Sequence, residues 1–547
     1  MLTEIIKEQI KKVVVDLYGY CPSFIVDKAK NIDYGDFYSN IAFILTKELK
    51  IKPFEIASSI KEQLLPHFKQ IEVQGAGFLN FYLHSSTYAS LMNEVNELNQ
   101  NYGQFSKTNK TIVLEYVSAN PTGHLHIAHA ANAIYGDTIK NLLQLNGHTV
   151  ITEYYVNDAG NQIEKLAYST LVRYLEKYTS RDVKLIDDAY HGQEIYDVAD
   201  ALYHQVKDQY KDASVSHDGF ILDKDVACFV KDFATNYMLT EIKKDLASMN
   251  TVIEHYTSEK SLVNEKSVAE ILKILAPHTE MKDGALWLLT TKFGDDKDRV
   301  LIKTDKTFTY FLPDIIYHNY KQKTYHADQL INIWGTDHLG YIKRMKTAYA
   351  CLGYKEEDLI VLCAQVMKLT KNNEEFKLSK RSGNSLTIKD LIAIIGKDAM
   401  RWFLGSSSMK SHVVIDVDLA LRKDSNNPLY YVQYAHARCH QILMKTALEL
   451  DFSATLLTNK HERSILNHIA YYENTIVNST QNFEPHLITN YLYDLATMLH
   501  TYYQDSKIID LDNLSLSKQR YTLIKTVKQI LSNGLNILKI LPYNSMY

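Results

Sequence analysis

Residues Thr111–Val156, "TIVLEYVSANPTGHLHIAHAANAIYGDTIKNLLQLNGHTVITEYYV", decide the fold class. The opening, through Val117, is short, apolar and rich in β-branched residues, the pattern of a buried strand. Proline and glycine then interrupt the run in a turn at Asn120-Pro121-Thr122-Gly123. From about His126, apolar residues recur at helical spacing through Ile127, Ala130, Ile134, Ile139, Leu142 and Leu143, and Gly147 is placed to end the helix. "TVITEYYV" reads as a second strand. Strand, turn, helix and strand make a βαβ unit, which implies a parallel sheet with its ligand beside the carboxyl ends of the strands. His124, His126 and His129 fall at that end.

Upstream, residues 1–105 begin with the helical periodicity of Ile5, Ile6, Ile10, Val13 and Val14 and close on "QIEVQGAGFLNFYLH", which reads as strand, glycine turn and strand. An α+β N-terminal domain is expected there. Downstream, a charged and mostly helical insertion at about 170–280 precedes renewed strand signals. "GALWLLTTKFGDDKDRVLIKT" reads as a hairpin, and "QLINIWGTDHLGY" and "DLIVLCAQVMKL" as one strand each. "TIKDLIAIIGKDAMRWFL" predicts one amphipathic helix capped by Thr387. These elements bound a second unit at 106–415. Over 416–547 glycine nearly vanishes and strand-like alternation stops, so an all-α helical bundle is expected.

A chain of 547 residues exceeds the usual domain of roughly 100 to 200 residues several times over. With 46% hydrophobic and 23% charged residues and only 9 prolines, the composition is that of a globular protein with ample core. Five widely spaced cysteines without a CxxC pair argue against a zinc ribbon or a disulfide framework and for a reducing cytoplasm. The N-terminal "MLTEIIKEQIKKVVVDLYGY" interleaves charges with apolar residues, unlike a secretory signal. No run of about 18 apolar residues occurs, so no membrane span is expected. The net charge of -4, from 60 basic and 64 acidic residues, means that any nucleic acid must be met by a local cluster of cations.

His126 and His129 stand at i and i+3 with no carboxylate between them, whereas helical metal sites favour i and i+4; no metal site is expected. At a strand-turn-helix junction they suit an anion instead, because a helix N-terminus presents unpaired N–H groups and a positive dipole end. Taken alone, such histidines are more often polar helix-start residues. A second element changes the weighting: in "KLSKRSGN", Lys377, Lys380 and Arg381 crowd a polar loop, and mobile lysines suit phosphate charge that builds during transfer.

His126-Ile127-Ala128-His129 and Lys377-Leu378-Ser379-Lys380-Arg381 resemble the HIGH and KMSKR elements of class I aminoacyl-tRNA synthetases. "VLEYVSANPTGHLHIAHA", "YYVNDAGNQIEKLA", "WGTDHLGYIKRMKTAYACLGY", "GKDAMRWFLGSSS" and "NPLYYVQYAHARCHQI" extend the resemblance to the bacterial-type arginyl-tRNA synthetase family along nearly the whole chain. The resemblance implies an α/β fold in which a Rossmann-like, nucleotide-binding parallel sheet forms the catalytic core. An α+β N-terminal domain would contact the tRNA elbow, and an all-α bundle would read the anticodon. It implies ATP-dependent attachment of L-arginine to its tRNA through an arginyl-adenylate, with Mg2+ accompanying ATP. A monomer is expected. Activation of arginine only with tRNA bound is carried over as well.

A guanidinium is planar and permanently charged, so its pocket needs one buried acid and preferably two. Glu115, inside "IVLEYV", and Asp314, in "YFLPDIIYH", are the candidates, both read as lying at strand ends. From the residues alone, pairing with a local basic residue is an equal reading. By resemblance, Glu115, Ser118, Asn120, Tyr310 and Asp314 contact arginine, the acids at its guanidinium and the polar groups at its α-amino end. Asp337 and His338, after Gly335 in "GTDH", lie near the substrate and ribose. His126, His129 and Gly123 would meet ATP on one side, and Lys377, Lys380 and Arg381 on the other. Tyr430, Tyr431, Tyr434 and Tyr547 could stack on unpaired bases, although core packing is the commoner use of a tyrosine. The motif departs from the family where Ala128 replaces glycine, His124 stands where proline is common, and Ala131 where arginine often follows. A Cβ at 128 is expected to crowd the adenine. A tRNA-binding protein without catalysis and a small-molecule nucleotidylyltransferase are the alternatives that the residues leave open.

Overall fold

In the computed structural model, which describes residues 1–365, 367–376 and 386–546, the βαβ stretch forms as its spacing predicts, with β1 at Thr111–Glu115, helix α1 at Ile127–Leu145 and β2 at Thr149–Val156. His255–Ser258 (β3), Gln329–Gly335 (β4) and Leu359–Ala364 (β5) complete a five-stranded sheet in the order β5-β4-β1-β2-β3. Every neighbouring pair is parallel. The chain leaves β1 toward β2 and β3 and returns to its other side for β4 and β5, so the topological switch lies between β1 and β4. Ligands of such sheets bind in the crevice at that point.

The core explains the apolar runs. Val113, Leu330 and Leu359 pack with Leu312, Ile315 and Ile316 of helix α3 (Phe311–Tyr325) and with Met345, Ala348 and Tyr349 of helix α4 (Leu339–Cys351). Leu288 and Leu301, from the antiparallel strands Ala285–Leu288 and Arg299–Ile302, join the same cluster. Full burial of such side chains contributes about 1.5–3 kcal/mol each. Helix α1 crosses β1, β2 and β4 at close quarters. A Cβ on Gly136 would lie 2.3 Å from Cγ of Tyr116, so the absence of a side chain sets how near the helix comes.

Four readings need correction. The insertion expected at about 170–280 contains β3, an edge strand of the core sheet; its four residues are too few to carry a periodic signal. "DLIVLCAQVMKL" is not one strand: β5 ends at Ala364, and Met367–Lys371 belongs to a separate three-stranded sheet. "TIKDLIAIIGKDAMRWFL" is two helices, α5 (Ile388–Ile395), with Thr387 as its cap, and α6 (Lys397–Gly405). Gly396, at φ 80, breaks the run. Asp314 lies in the first turn of α3, not at a strand end.

Lys107–Leu421 forms one compact unit, and Met1–Ser106 with Arg422–Tyr547 the other. In the latter, helix Leu2–Tyr18 buries Ile6, Ile10 and Val14, and Gln70–Gln74 and Phe78–Tyr82 pair as the expected hairpin within a four-stranded antiparallel sheet. Buried Asp36 accepts hydrogen bonds from Arg463 (2.7 Å) and Asn467 (2.8 Å) of helix Lys460–Ala470, joining the N-terminal segment to the C-terminal helices. Those helices include Pro428–Lys445, His486–Asp505 and Leu514–Ile537. Tyr430 and Tyr434 stack at 6.1 Å, and Arg438 lies between the rings of Tyr434 and Tyr503, at 4.7 and 4.5 Å. Tyr547 is outside the described residues. Among the described residues, no helix is long and apolar enough to cross a membrane.

Candidate active site

The carboxyl ends of β1 and β4 open into a cavity of about 600 Å³. It is lined by Glu115, Ser118, Asn120, His126, His129, Asp314, Gly335, Asp337 and His338, among others. The floor is held by Asn132 on α1, whose Oδ1 accepts from the Val117 N–H (2.8 Å) and whose Nδ2 donates to the Ile333 carbonyl (3.0 Å). That staple spans the switch point. It also braces Val117 and Ser118, which have φ of 70 and 41; a β-branched residue held there costs about 1–3 kcal/mol, and such conformations gather at functional sites.

His126 is the N-cap of α1. Its Nδ1 accepts from the Ala128 N–H (3.2 Å), and Nδ1 of His129 accepts from the His126 N–H (3.3 Å). The two rings stack with centroids 3.8 Å apart. Because both Nδ1 atoms are acceptors, the neutral rings carry their protons on Nε2, which leaves two N–H donors at a helix N-terminus. Burial lowers the pKa of His126, and burial followed by the neighbouring His126 lowers His129 to about 3. The rings are therefore uncharged donors at neutral pH. As helix-start residues the two rings cap the turn by accepting from backbone N–H groups, not by donating to backbone carbonyls.

Glu115 ends β1 nearly buried. Its Oε1 accepts from the Ser118 hydroxyl (3.0 Å) and its Oε2 from Lys321 (2.6 Å). Pairing with a basic residue is thus realised for Glu115, with a partner 206 residues further along the chain. Asp314 faces the same cavity and accepts from the Tyr341 hydroxyl. Burial, then nearby Glu115 and Glu259, push its carboxyl up to about 7 against the opposing effects of Tyr341 and Lys321. The Asn120 amide donates to Gln162 at 2.6 Å, and His338 and Asp337 approach at 3.3 Å in the turn after β4.

Two expected residues do not line the cavity. Tyr310, just before α3, is 81% exposed, and Gly123 lies outside the lining. His124 does not line it either; its ring stands 3.9 Å from Asp245 on helix α2 (Lys224–Ser248), a buried acid also 3.6 Å from Lys389. Lys377, Lys380 and Arg381 fall outside the described residues. Beyond them, Ile388 donates to the Leu125 carbonyl at 3.0 Å, and Thr387 bridges to His126. Lys321, Tyr341 and Asn132 were missed in the sequence. Lys321 follows Asp314 by two helical turns and would share its face, a signal hidden while Asp314 was read as a strand residue.

Among the described residues, no three His, Cys, Asp or Glu side chains are grouped as metal ligands.

Comparison with known proteins adds three family matches: an arginyl tRNA synthetase N terminal domain over residues 1–83, the catalytic domain of tRNA synthetases class I (R) over 92–417, and a DALR anticodon binding domain over 432–546. The arginine--tRNA ligase of Ureaplasma parvum serovar 3 is 54% identical over 100% of both chains. That of Malacoplasma penetrans is 42% identical over 98% of this chain and 97% of its own. The solved arginyl-tRNA synthetase of Thermus thermophilus shares the fold, with a TM-score of 0.78 at 20% identity and 100% of both chains covered.

Proposed function

The chain belongs to the arginyl-tRNA synthetase family and attaches arginine to tRNA for translation, and we propose that the cavity at the ends of β1 and β4 carries out both steps of that reaction. The observation that carries this reading is the convergence of Glu115 and Asp314 with the two capping histidines on one cavity. The acids take the guanidinium, for which paired carboxylates are the matching acceptors. Ser118 and Asn120, which line the cavity, take the α-amino end, and Asp337 the neighbouring part of the substrate; Tyr310, 81% exposed outside the cavity, would have to turn inward to join them. The arginine carboxylate attacks the α-phosphate of ATP, pyrophosphate leaves, and arginyl-adenylate remains. The terminal ribose hydroxyl of tRNA then attacks the arginyl carbonyl and AMP departs.

His126 and His129 donate Nε2–H to α-phosphate oxygens, where neutral donors strengthen their bonds as negative charge builds. Lys377 and Lys380 offset the β- and γ-phosphates, and Arg381 adds to ATP binding. Gly335 and His338, both in the cavity lining, border the nucleotide. The family uses ATP, typically with Mg2+; here the ion would ride on the phosphates and supply charge neutralisation. The N-terminal 1–105, the catalytic 106–415 and the helical 416–547 segments divide tRNA elbow, chemistry and anticodon between them. Five free thiols suit the cytoplasm.

Charging of purified tRNA with arginine tests the reading directly. Arginine-dependent pyrophosphate exchange that appears only with tRNA present is the expected companion result. No exchange at any tRNA concentration would leave a tRNA-binding protein without catalysis, and exchange without charging would leave a small-molecule nucleotidylyltransferase.

A further inference from the structure

Lys321 is fully buried, and each direction of its ammonium is used. It donates to Glu115 Oε2 at 2.6 Å and to Asn332 Oδ1 at 2.9 Å, and it lies 4.3 Å from the centre of the Tyr317 ring. The Asn332 amide continues the chain: its Nδ2 donates to Nε2 of His318 (2.8 Å), and Nδ1–H of His318 donates to the Asp314 carbonyl (2.7 Å). Only one arrangement of protons satisfies every link, with His318 neutral and protonated on Nδ1. Burial and the nearby Lys321 hold the His318 ring uncharged. One directional network therefore runs from the carboxylate of Glu115, through Lys321, Asn332 and His318, to the backbone of Asp314.

A buried ammonium this close to a buried carboxylate is costly to assemble and is weak evidence for stability as such. Its placement is better explained by what it does to the two acids. We propose that Lys321 is a positioning residue for arginine recognition: it fixes the carboxylate of Glu115 from behind, offsets one of the two acids so that the pocket matches a single guanidinium, and ties that carboxylate to the turn bearing Asp314. The proposal rests on the assignment of Glu115 and Asp314 to the guanidinium. Lys321 itself does not line the cavity; it acts through Glu115, whose Oε1 side stays turned to the substrate beside Ser118.

Steady-state charging by Lys321→Met and Lys321→Arg tests this. Lys321→Met is expected to raise the KM for arginine about tenfold or more while leaving the KM for ATP within about twofold and kcat within about threefold, the signature of lost ground-state binding. Lys321→Arg keeps the charge and should recover most of the loss. Lys321 is also one of the groups facing Asp314, with Glu115, Glu259 and Tyr341. Its removal should therefore move the acid limb of kcat/KM for arginine to higher pH, a change that a merely structural role would not produce. If Lys321→Met does not fold, the isosteric Asn332→Asp decides alone: the new carboxylate competes with Glu115 for the ammonium and should raise the arginine KM about fivefold. An arginine KM within twofold of the unsubstituted enzyme, in a folded Lys321→Met or in Asn332→Asp, overturns the proposal. Glu115→Gln separates the two levels, because an unchanged arginine KM there removes the underlying assignment instead.

Discussion

His126 and His129 close the first turn of α1 on each other: the backbone N–H of His126 donates to Nδ1 of His129, while Nδ1 of His126 accepts from Ala128 and the rings stack at 3.8 Å. The pair therefore does two things at once, capping a helix and aiming two Nε2–H donors at the cavity.

These roles can be separated. Asparagine is among the best N-caps, so His126→Asn should leave the melting temperature nearly unchanged. The same variant should lose about 10²–10³ in the rate of arginine activation, the usual cost of a missing transition-state donor. Melting curves and pyrophosphate exchange on one preparation check both halves. A parallel fall in stability and rate would reduce the histidine to a cap.

With Asp314 taking the guanidinium, as proposed, arginine binding is expected to depend on pH. The Asp314 carboxyl, held up to about 7 in the folded protein, favours the protonated form, whereas a guanidinium needs the ionised one. Below pH 7 each arginine bound must displace a proton. The KM for arginine should fall as pH rises toward 7 and flatten above it, standing about tenfold above the plateau at pH 6. Asp314→Asn should bind arginine poorly and lose this slope. A flat profile in the unsubstituted enzyme between pH 6 and 8 would contradict the assignment.

Arg401 on α6 donates to Asp137 on α1 at 2.8 Å, and neither side chain is exposed. Arg401→Met takes a hydrogen-bonded charge from buried Asp137 and leaves Lys140 3.8 Å away, so it should destabilise the protein by up to about 3–5 kcal/mol. With Asp137→Asn added, the loss should be smaller than the sum of the two. Denaturant titration of the single and double variants reads this out.

Ala128 lines the cavity where the family motif has glycine. Ala128→Gly should lower the KM for ATP by about two- to fivefold, limited by the small size of one methyl group. Equal values for the two proteins would show that the Cβ does not touch the nucleotide.

The sequence shows the elements that repeat a pattern over enough residues. Strand β1, helix α1 and strand β2 announce themselves through β-branched runs and helical spacing, and the same signals expose the histidines at their junction. What it hides is short or distant. Strand β3 has four residues and no usable period, and Gly396 splits a helix that reads as continuous. Glu115 was visible as a charge inside an apolar strand, but its partner lies 206 residues away, where no local spacing can point to it. Tyr310 illustrates the converse: the motif nominates it, while its ring stands 81% exposed.

The order β5-β4-β1-β2-β3 also governs how the chain can be made. The Thr111 N–H is satisfied by Asp328, 217 residues further along, and β4 covers the remaining edge of β1 from that point. At a synthesis rate of about 5–20 residues per second, β1 waits about 10–40 s with one edge unpaired after β2 has reached the other. An open, apolar edge strand is a template for association with other chains. The central strand of the sheet therefore depends on protection while the ribosome finishes the rest.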